Sequence, residues 1–274
     1  MTASIKLGKE EVKRLRERIS AHCLKMVPVK GAYEVLRADD GVTVLILYSS
    51  GKLVHNESAV AEQIVEEAVG VDRSYDLLLG SDEAGKGEWY GPLVAVCAAA
   101  KPDDVAALRK MGVRDSKTIP RKRLIALGER LQKEVTYRSV VLPPETYNIM
   151  YEGLRSEGKS LNDLLAWAHA AAIKDLLSIL EYRKARLVID RFDEKKTDEQ
   201  LADLTRGNLE IEQKTHAESE PEVAAASIIA KCIFEEQVSA LDKQFGLSLR
   251  KMKPSDVPPA ILPNVAKLHF KNVP

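Results

Sequence analysis

The stretch YDLLLGSDEAGKGEWYGPLVAVCAAA, residues 75–100, constrains this chain more than any other. Two apolar runs, each too short for a buried helix, flank a glycine-rich link, so both read as buried strands. The first delivers two carboxylates, Asp82 and Glu83, at its C-terminal end, where open α/β sheets place their ligands. Gly85, Gly87 and Gly91 crowd the loop that follows, and glycine lets a backbone approach a ligand closely. Paired carboxylates beside exposed backbone N–H groups suit a metal ion together with a phosphate. A solvated turn built of acids and glycines would look the same locally.

Two further acids extend the pattern. ARLVID, residues 185–190, is another apolar strand ending in a carboxylate, Asp190, with Asp193 close behind as a competitor. Glu218 stands in THAESEPEVAAASIIAK, just before a helix whose first turns are alanine and serine, small enough to let it approach a sheet closely. Glu220 and Glu222 lie nearer that helix and equally suit the plain role of an acid at a helix N-terminus. Clustered carboxylates raise one another's pKa, and hard divalent cations relieve that cost. Two such cations about 3.5–4 Å apart activate a water and stabilise the leaving oxygen of a phosphodiester. The five histidines show no HxxxH or HExxH spacing, so no zinc site is expected. His169 is expected to pack inside a long helix, and His216 to stand close to Glu218.

Strands and helices alternate from residue 75 onward, which predicts an α/β layer architecture. The helices are expected over 121–135, over 160–182 and from about residue 222. The first seventy residues read differently. Val12, Leu15, Ile19 and Cys23 form one apolar stripe on a charged helix over 10–24. AYEVLR, VTVLILY and KLVHN follow as a three-stranded antiparallel meander, with Asp40-Gly41 and Ser50-Gly51 as turns. Ser58 is placed to cap a second helix, AVAEQIVEEAV, although Ala61 at the third helical position rules out a capping box. The polar break GVDRS therefore separates a small α+β domain, residues 1–72, from a larger one, residues 75–274.

Composition bears on the partners. The 41 basic and 41 acidic residues cancel, yet residues 1–52 hold 10 Lys/Arg against 6 Asp/Glu and residues 231–274 hold 7 against 4. Local basic excess is what a nucleic-acid partner requires. Three scattered cysteines suit reduced thiols. The opening MTASIKLGKEEVKRLRERIS turns charged where a leader needs an apolar run, and no run approaches a membrane span. A cytoplasmic protein with no membrane partner is the expectation.

At these residues the chain resembles the type 2 ribonuclease H family. GSDEAGKGEWYGPLVAVCAA is similar to its first active-site motif, RDSKTI to its DSK motif, LVIDRF to its third-acid strand and AESEPEVAAASIIAK to its last motif. SLNDLLAWAHAAAI, the terminal AKLHFKN and the amino-terminal module with VTVLILYSSGKLV resemble the HIII branch, which carries a TBP-like substrate-binding domain. The resemblance implies a ribonuclease H-like five-stranded mixed sheet flanked by helices. It implies hydrolysis of the RNA strand of RNA–DNA hybrids with Mg2+ or Mn2+, by a monomer, leaving a 3′-hydroxyl and a 5′-phosphate. Asp82 and Asp190 would bridge the metals, with Glu83 and Glu218 completing their shells. Gly85, Lys86 and Gly87 would contact the backbone near the scissile phosphate, and Ser116 and Lys117 a phosphate of the DNA strand. Two rival readings are cutting at single ribonucleotides in DNA, as the HII branch does, and non-catalytic binding of hybrid.

Overall fold

The computed structural model describes residues 2–70, 73–113, 116, 119–204, 207–215 and 217–274. The chain divides into two compact units, Met1–Arg73 and Ser74–Pro274.

The first unit runs β1 (Thr2–Lys6), α1 (Lys9–Ala21), β2 (Glu34–Asp39), β3 (Val44–Tyr48), β4 (Lys52–Asn56) and α2 (Ala59–Val69). Its antiparallel sheet has the order β1-β4-β3-β2, one strand more than the expected meander. The extra strand, TASIK, has only two apolar residues, so its periodicity is too weak to announce it; pairing along β4, from Thr2 opposite Asn56 to Lys6 opposite Lys52, makes it a strand. Helix α1 stops short of residue 24 because Cys23 takes a left-handed φ of 52°. Ser58 caps α2 as expected, accepting the Ala61 N–H at 3.0 Å. Leu15, Ile19, Leu36, Leu45, Leu47, Leu53 and Ile64 close a core of the unit's own between the helices and one face of the sheet.

The second unit contains β5 (Leu77–Ala84), β6 (Leu93–Ala100), α3 (Val105–Met111), α4 (Arg121–Glu134), β7 (Thr136–Leu142) and α5 (Pro144–Ser156). It continues through α6 (Leu161–Leu177), β8 (Ala185–Asp190), α7 (Glu194–Leu201), β9 (Leu209–Lys214), α8 (Pro221–Phe245) and α9 (Leu262–Val265). The sheet is mixed and five-stranded, in the order β7-β6-β5-β8-β9. β5, β6 and β7 are antiparallel neighbours, while β5, β8 and β9 run parallel.

Alternation along the strands sorts side chains between two layers. Val94, Val96 and Ala98 of β6 pack with α4 and α8, whereas Cys97 and Ala99 pack with Ile173 and Leu176 of α6. The same alternation puts Leu77 and Leu79 of β5 on the α6 side, and Ala84 on the α8 side. No helix of the described residues is long and apolar enough to cross a membrane.

Candidate active site

Asp82 and Asp190 come together through strand register. Parallel pairing sets Leu77 beside Ala185 and continues to Ser81 beside Ile189, so the next step puts Asp82 beside Asp190. Neighbouring strands lie about 4.8 Å apart. Both acids fall on the α8 side of the sheet: Gly80 and Ala84 flank Asp82 on that side, and Val188, two residues before Asp190, packs on Val223 of α8.

Gly80 is what lets α8 come so close. A Cβ built there would lie 2.2 Å from the backbone nitrogen of Val223. Four residues of helix rise about 6 Å and two residues of strand about 6.7 Å, so Ser227 follows Val223 as Asp82 follows Gly80. Ser227, buried on that helix, is accordingly placed to pull on the Asp82 carboxyl.

Glu83 points to the opposite layer. His169 of α6, fully buried, lies with Nε2 3.1 Å from Glu83 Oε2 and Nδ1 2.7 Å from the Ser81 hydroxyl. Lys86 Nζ stands 3.5 Å from Glu83 Oε1 and 5.3 Å from the centre of the Phe192 ring, which itself stacks on His169. His169 is thus core, as expected of it, but it also orients an acid. No spacing rule announces that pairing, because it joins residues 86 positions apart.

The two neighbouring acids are tuned apart. Burial, then repulsion from Glu83 and Asp190, pushes Asp82 up to about 7 against the pull of Ser227 and the Glu83 N–H. Burial also acts to raise Glu83, but His169 and Lys86 outweigh it and hold that carboxyl below its ordinary value.

Glu218 lies on a 3-10 turn, Ala217–Ser219, between β9 and α8. The Ala217 N–H donates to Asp190 Oδ1 at 3.2 Å, which ties this turn to the end of β8. Its acidic neighbours are engaged elsewhere. Glu220 accepts from Lys214 at 2.7 Å and pairs with Arg186, and Glu222, 2% exposed, lies 3.9 Å from Arg186. Burial and the nearby Glu220 push Glu222 up to about 7. Asp193 is taken up as the cap of α7, accepting the Lys196 N–H, and also accepts from Asn162.

The glycine-rich loop is held from the chain's last segment. Gly85 has φ +87°, and a Cβ there would sit 2.1 Å from the Pro92 carbonyl, so only glycine fits without rearrangement. Lys267, fully buried, donates from Nζ to the carbonyls of Glu88 (2.8 Å) and Tyr90 (3.0 Å), and its backbone N–H donates to Trp89. Asn148 of α5 grips the same segment, donating to Ala266 and accepting from the Leu268 N–H. Burial pushes the Lys267 amine down to about 7 from its ordinary 10.5, with Glu88 opposing. A neutral amine has two hydrogens, which match the two carbonyls. Between about pH 7 and 10.5 the unfolded chain holds a proton here that the folded chain lacks, so stability rises with pH across that window. The unfolding free energy of the wild type, measured against Lys267→Met in urea, should therefore gain from pH 7 upward and lose as pH falls through 7. A pH-independent difference between the two would contradict it.

Ser116, expected at a DNA-strand phosphate, is only 3% exposed and stands 2.8 Å from the Ser227 hydroxyl. Lys117 and His216 lie outside the described residues. Among the described residues no three His, Cys, Asp or Glu side chains stand as a ready-made metal cage. The acids nonetheless fit hard cations by chemistry: all donors are oxygen, and Asp82 carries a like-charge cost that a cation would remove.

In the first unit, both helices lie on one face of the sheet, and the register leaves Lys6, Lys52, Ser4, Val54, Ile46 and Tyr48 on the other. This is a basic and apolar surface with no covering helix from its own unit.

Comparison with known proteins agrees with the fold. The model of the ribonuclease HII family matches residues 79–273. Ribonuclease HIII of Protochlamydia amoebophila is 31% identical, covering 88% of this chain and 86% of that protein. Ribonuclease HIII of Chlamydia trachomatis serovar L2 is 30% identical, covering 82% and 81%. Among solved structures, Bst-RNase HIII in complex with Mn2+ superposes with a TM-score of 0.65 at 23% identity, covering 99% of this chain and 96% of that one. Aquifex aeolicus RNase H3 gives 0.58 at 19% identity, covering 98% and 100%.

Proposed function

We infer the mechanism from one premise: the chain belongs to the ribonuclease HII family and, with the ribonucleases HIII, is a type 2 ribonuclease H, an endonuclease acting on RNA–DNA hybrids. Asp82, Glu83, Asp190 and Glu218 are its metal-holding acids. The observation that carries this assignment is the lateral placement of Asp82 beside Asp190, with the Glu218 turn bonded to Asp190. Mg2+ or Mn2+, when bound, supplies activation of water and neutralisation of charge on the leaving oxygen. The Mn2+ complex of Bst-RNase HIII supports that choice of ion.

The chain's own residues do the rest. Asp82 and Asp190, aimed to one side of the sheet, would hold the cations, with Glu218 from the turn before α8 and Glu83 from the other face of β5 completing the set of oxygen ligands. No covalent nucleophile is needed; positioning and electrostatics carry the rate. Gly85, Lys86 and Gly87 present N–H groups and a cation to the phosphate backbone near the cut, and the segment with Ser116 and Lys117 takes a phosphate of the DNA strand. The open sheet face of residues 1–72 is a second, TBP-like hybrid-binding surface, supported by Lys6 and Lys52 on adjacent strands. The protein works as a monomer, as its resemblance to the HIII branch implies. It works in the cytoplasm, in keeping with three free cysteines.

The test is cleavage of labelled duplexes with Mg2+, Mn2+ or chelator. One duplex carries a run of ribonucleotides and one a single ribonucleotide in DNA. The run should be cut efficiently and the lone ribonucleotide poorly. HII enzymes stack a C-terminal tyrosine at the junction sugar, and after Lys231 this chain has Phe234, Phe245 and Phe270 but no tyrosine. A phenylalanine stacks without donating a hydroxyl hydrogen bond. Comparable Mg2+ rates on both duplexes would transfer the chain to the HII mode of cutting.

A further inference from the structure

We propose that Arg121 and Arg250, set together on the carboxylate of Glu235, form a clamp for a backbone phosphate of the hybrid beside the glycine loop. The proposal rests on the reading of the chain as a nuclease that binds hybrid. Glu235 lies on α8, and its side chain is only 12% exposed. Arg121, the first residue of α4, donates from Nε to Glu235 Oε2 at 2.6 Å. Arg250, from the short turn Leu249–Lys251 after α8, pairs with the other oxygen, Oε1. Two cations share one carboxylate, so the cluster keeps a net positive charge.

The aromatic floor of the cluster belongs to the glycine loop and its support. The Arg250 guanidinium stands 5.8 Å from the centre of the Tyr90 ring and 5.9 Å from that of Phe234, within the range at which a cation is drawn to an aromatic face. Phe234 carries the loop: a Cβ built on Gly85 or Gly91 would lie 3.0 Å from its ring. A carboxylate and two rings thus fix Arg250 on the flank of the loop. They do not use up its chemistry. A guanidinium has about five N–H donors, and one carboxylate accepts about four bonds in all, so the pair has donors to spare for a further acceptor. Both side chains reach solvent, Arg121 at 55% exposure and Arg250 at 31%. A rigid guanidinium fork with unused donors matches a phosphate.

The clamp stands away from the cut. Ser227 keeps step with Asp82, and Glu235 lies just over two turns further along α8, about 12 Å. At about 3.4 Å of rise per nucleotide, that spans roughly three to four nucleotides. A phosphate held there is bound alike in the ground and transition states, so the clamp serves affinity and not the rate at saturation. Lys122, Arg123 and Lys251, all exposed, adjoin the two arginines in sequence and extend the basic character of this surface.

The test uses the full-length protein with Arg250→Gln, Arg121→Gln and a triple variant, Arg121→Gln with Glu235→Gln and Arg250→Gln, which leaves no unpaired charge. Arg183→Gln is the control: it removes the same charge from an arginine 94% exposed, just ahead of β8 and so at the end of that strand away from Asp190. Hybrid affinity is measured in chelator at several salt concentrations, KM and kcat in Mn2+, and Mn2+ affinity without nucleic acid. Arg250→Gln should weaken hybrid binding by about tenfold or more and lower the slope of log affinity against log salt by about one. The triple variant should lose at least as much, and Arg183→Gln should change neither. KM should rise, while kcat at saturating hybrid and Mn2+ affinity stay as in the wild type. Wild-type affinity and slope in the triple variant, or losses no greater than that of Arg183→Gln, would overturn the clamp. A fall in kcat with KM unchanged would overturn it too. So would single variants that lose heat stability while the triple variant folds and binds hybrid normally, since the arginines would then be a structural ion pair. Failure of the wild type itself to bind hybrid would instead strike the nuclease reading, and the clamp with it.

Discussion

Asp190→Asn should lower hybrid cleavage by about 10²–10³-fold or more, the scale of losing a group aimed at developing charge, while hybrid affinity stays near that of the wild type. The amide keeps the shape and can still accept the Ala217 N–H, so the turn carrying Glu218 stays tied to β8. What disappears is one negative charge from a pair set side by side by the β5–β8 register. Asp82→Asn and Glu83→Gln should behave alike, and Glu218→Gln should follow them. Glu220→Gln and Glu222→Gln make the informative contrast: both acids lie against Arg186, so their loss should change stability more than the rate of cutting. Near-normal cleavage by Asp190→Asn at saturating Mg2+ would sink the four-acid assignment. An inactive, well-folded Glu220→Gln would move the fourth acid.

Removal of residues 1–73 should leave a folded unit that cuts at high hybrid concentration but binds hybrid about 10²–10⁴-fold more weakly, the usual worth of a second tethered site. Each unit closes a core of its own, the first around Leu15, Leu45 and Ile64, the second around β6 and α8. The loss should shrink as salt rises, because phosphate contacts made by lysines draw their strength from released counterions. Equal affinity of the truncated and full-length proteins at matched salt would refute the binding role of the first unit. Its uncovered sheet face would then need a different partner.

The candidate site is legible in the sequence where one strand carries the signal. YDLLLG and ARLVID show their apolar runs and terminal acids in a single line, so Asp82 and Asp190 stand out as candidates from the sequence alone. The alanines and serine after Pro221 likewise announced a helix able to come close, and all of residues 221–230 are buried. Opposite faces were not read. Adjacent acids on a strand must diverge, and that parity alone sends Asp82 to α8 and Glu83 to α6. Pairings across long separations were also invisible: His169 with Glu83, Ser116 with Ser227, Lys267 with the carbonyls at 88 and 90. Each needs the sheet order, which no local pattern encodes. Strand β1 escaped because its five residues borrow their identity from β4. Helix α7 escaped because charged and polar residues fill most of its eight positions; helix α5 escaped although Tyr147, Met150, Tyr151 and Leu154 fall at helical spacing and pack together.

The seam between the glycine loop and residues 265–268 has a consequence for the order of biosynthesis. The loop leaves the ribosome well before the residues that pin it, because 177 positions separate Tyr90 from Lys267. At roughly 5–20 residues per second, that interval lasts many seconds. Throughout it, the acids on β5 and the glycines beside them exist without the buried amine and the bridge from Ala266 to Tyr90 that fix the loop. A nascent chain thus carries the glycine loop of the candidate site unpinned until residues 266 and 267 have been made.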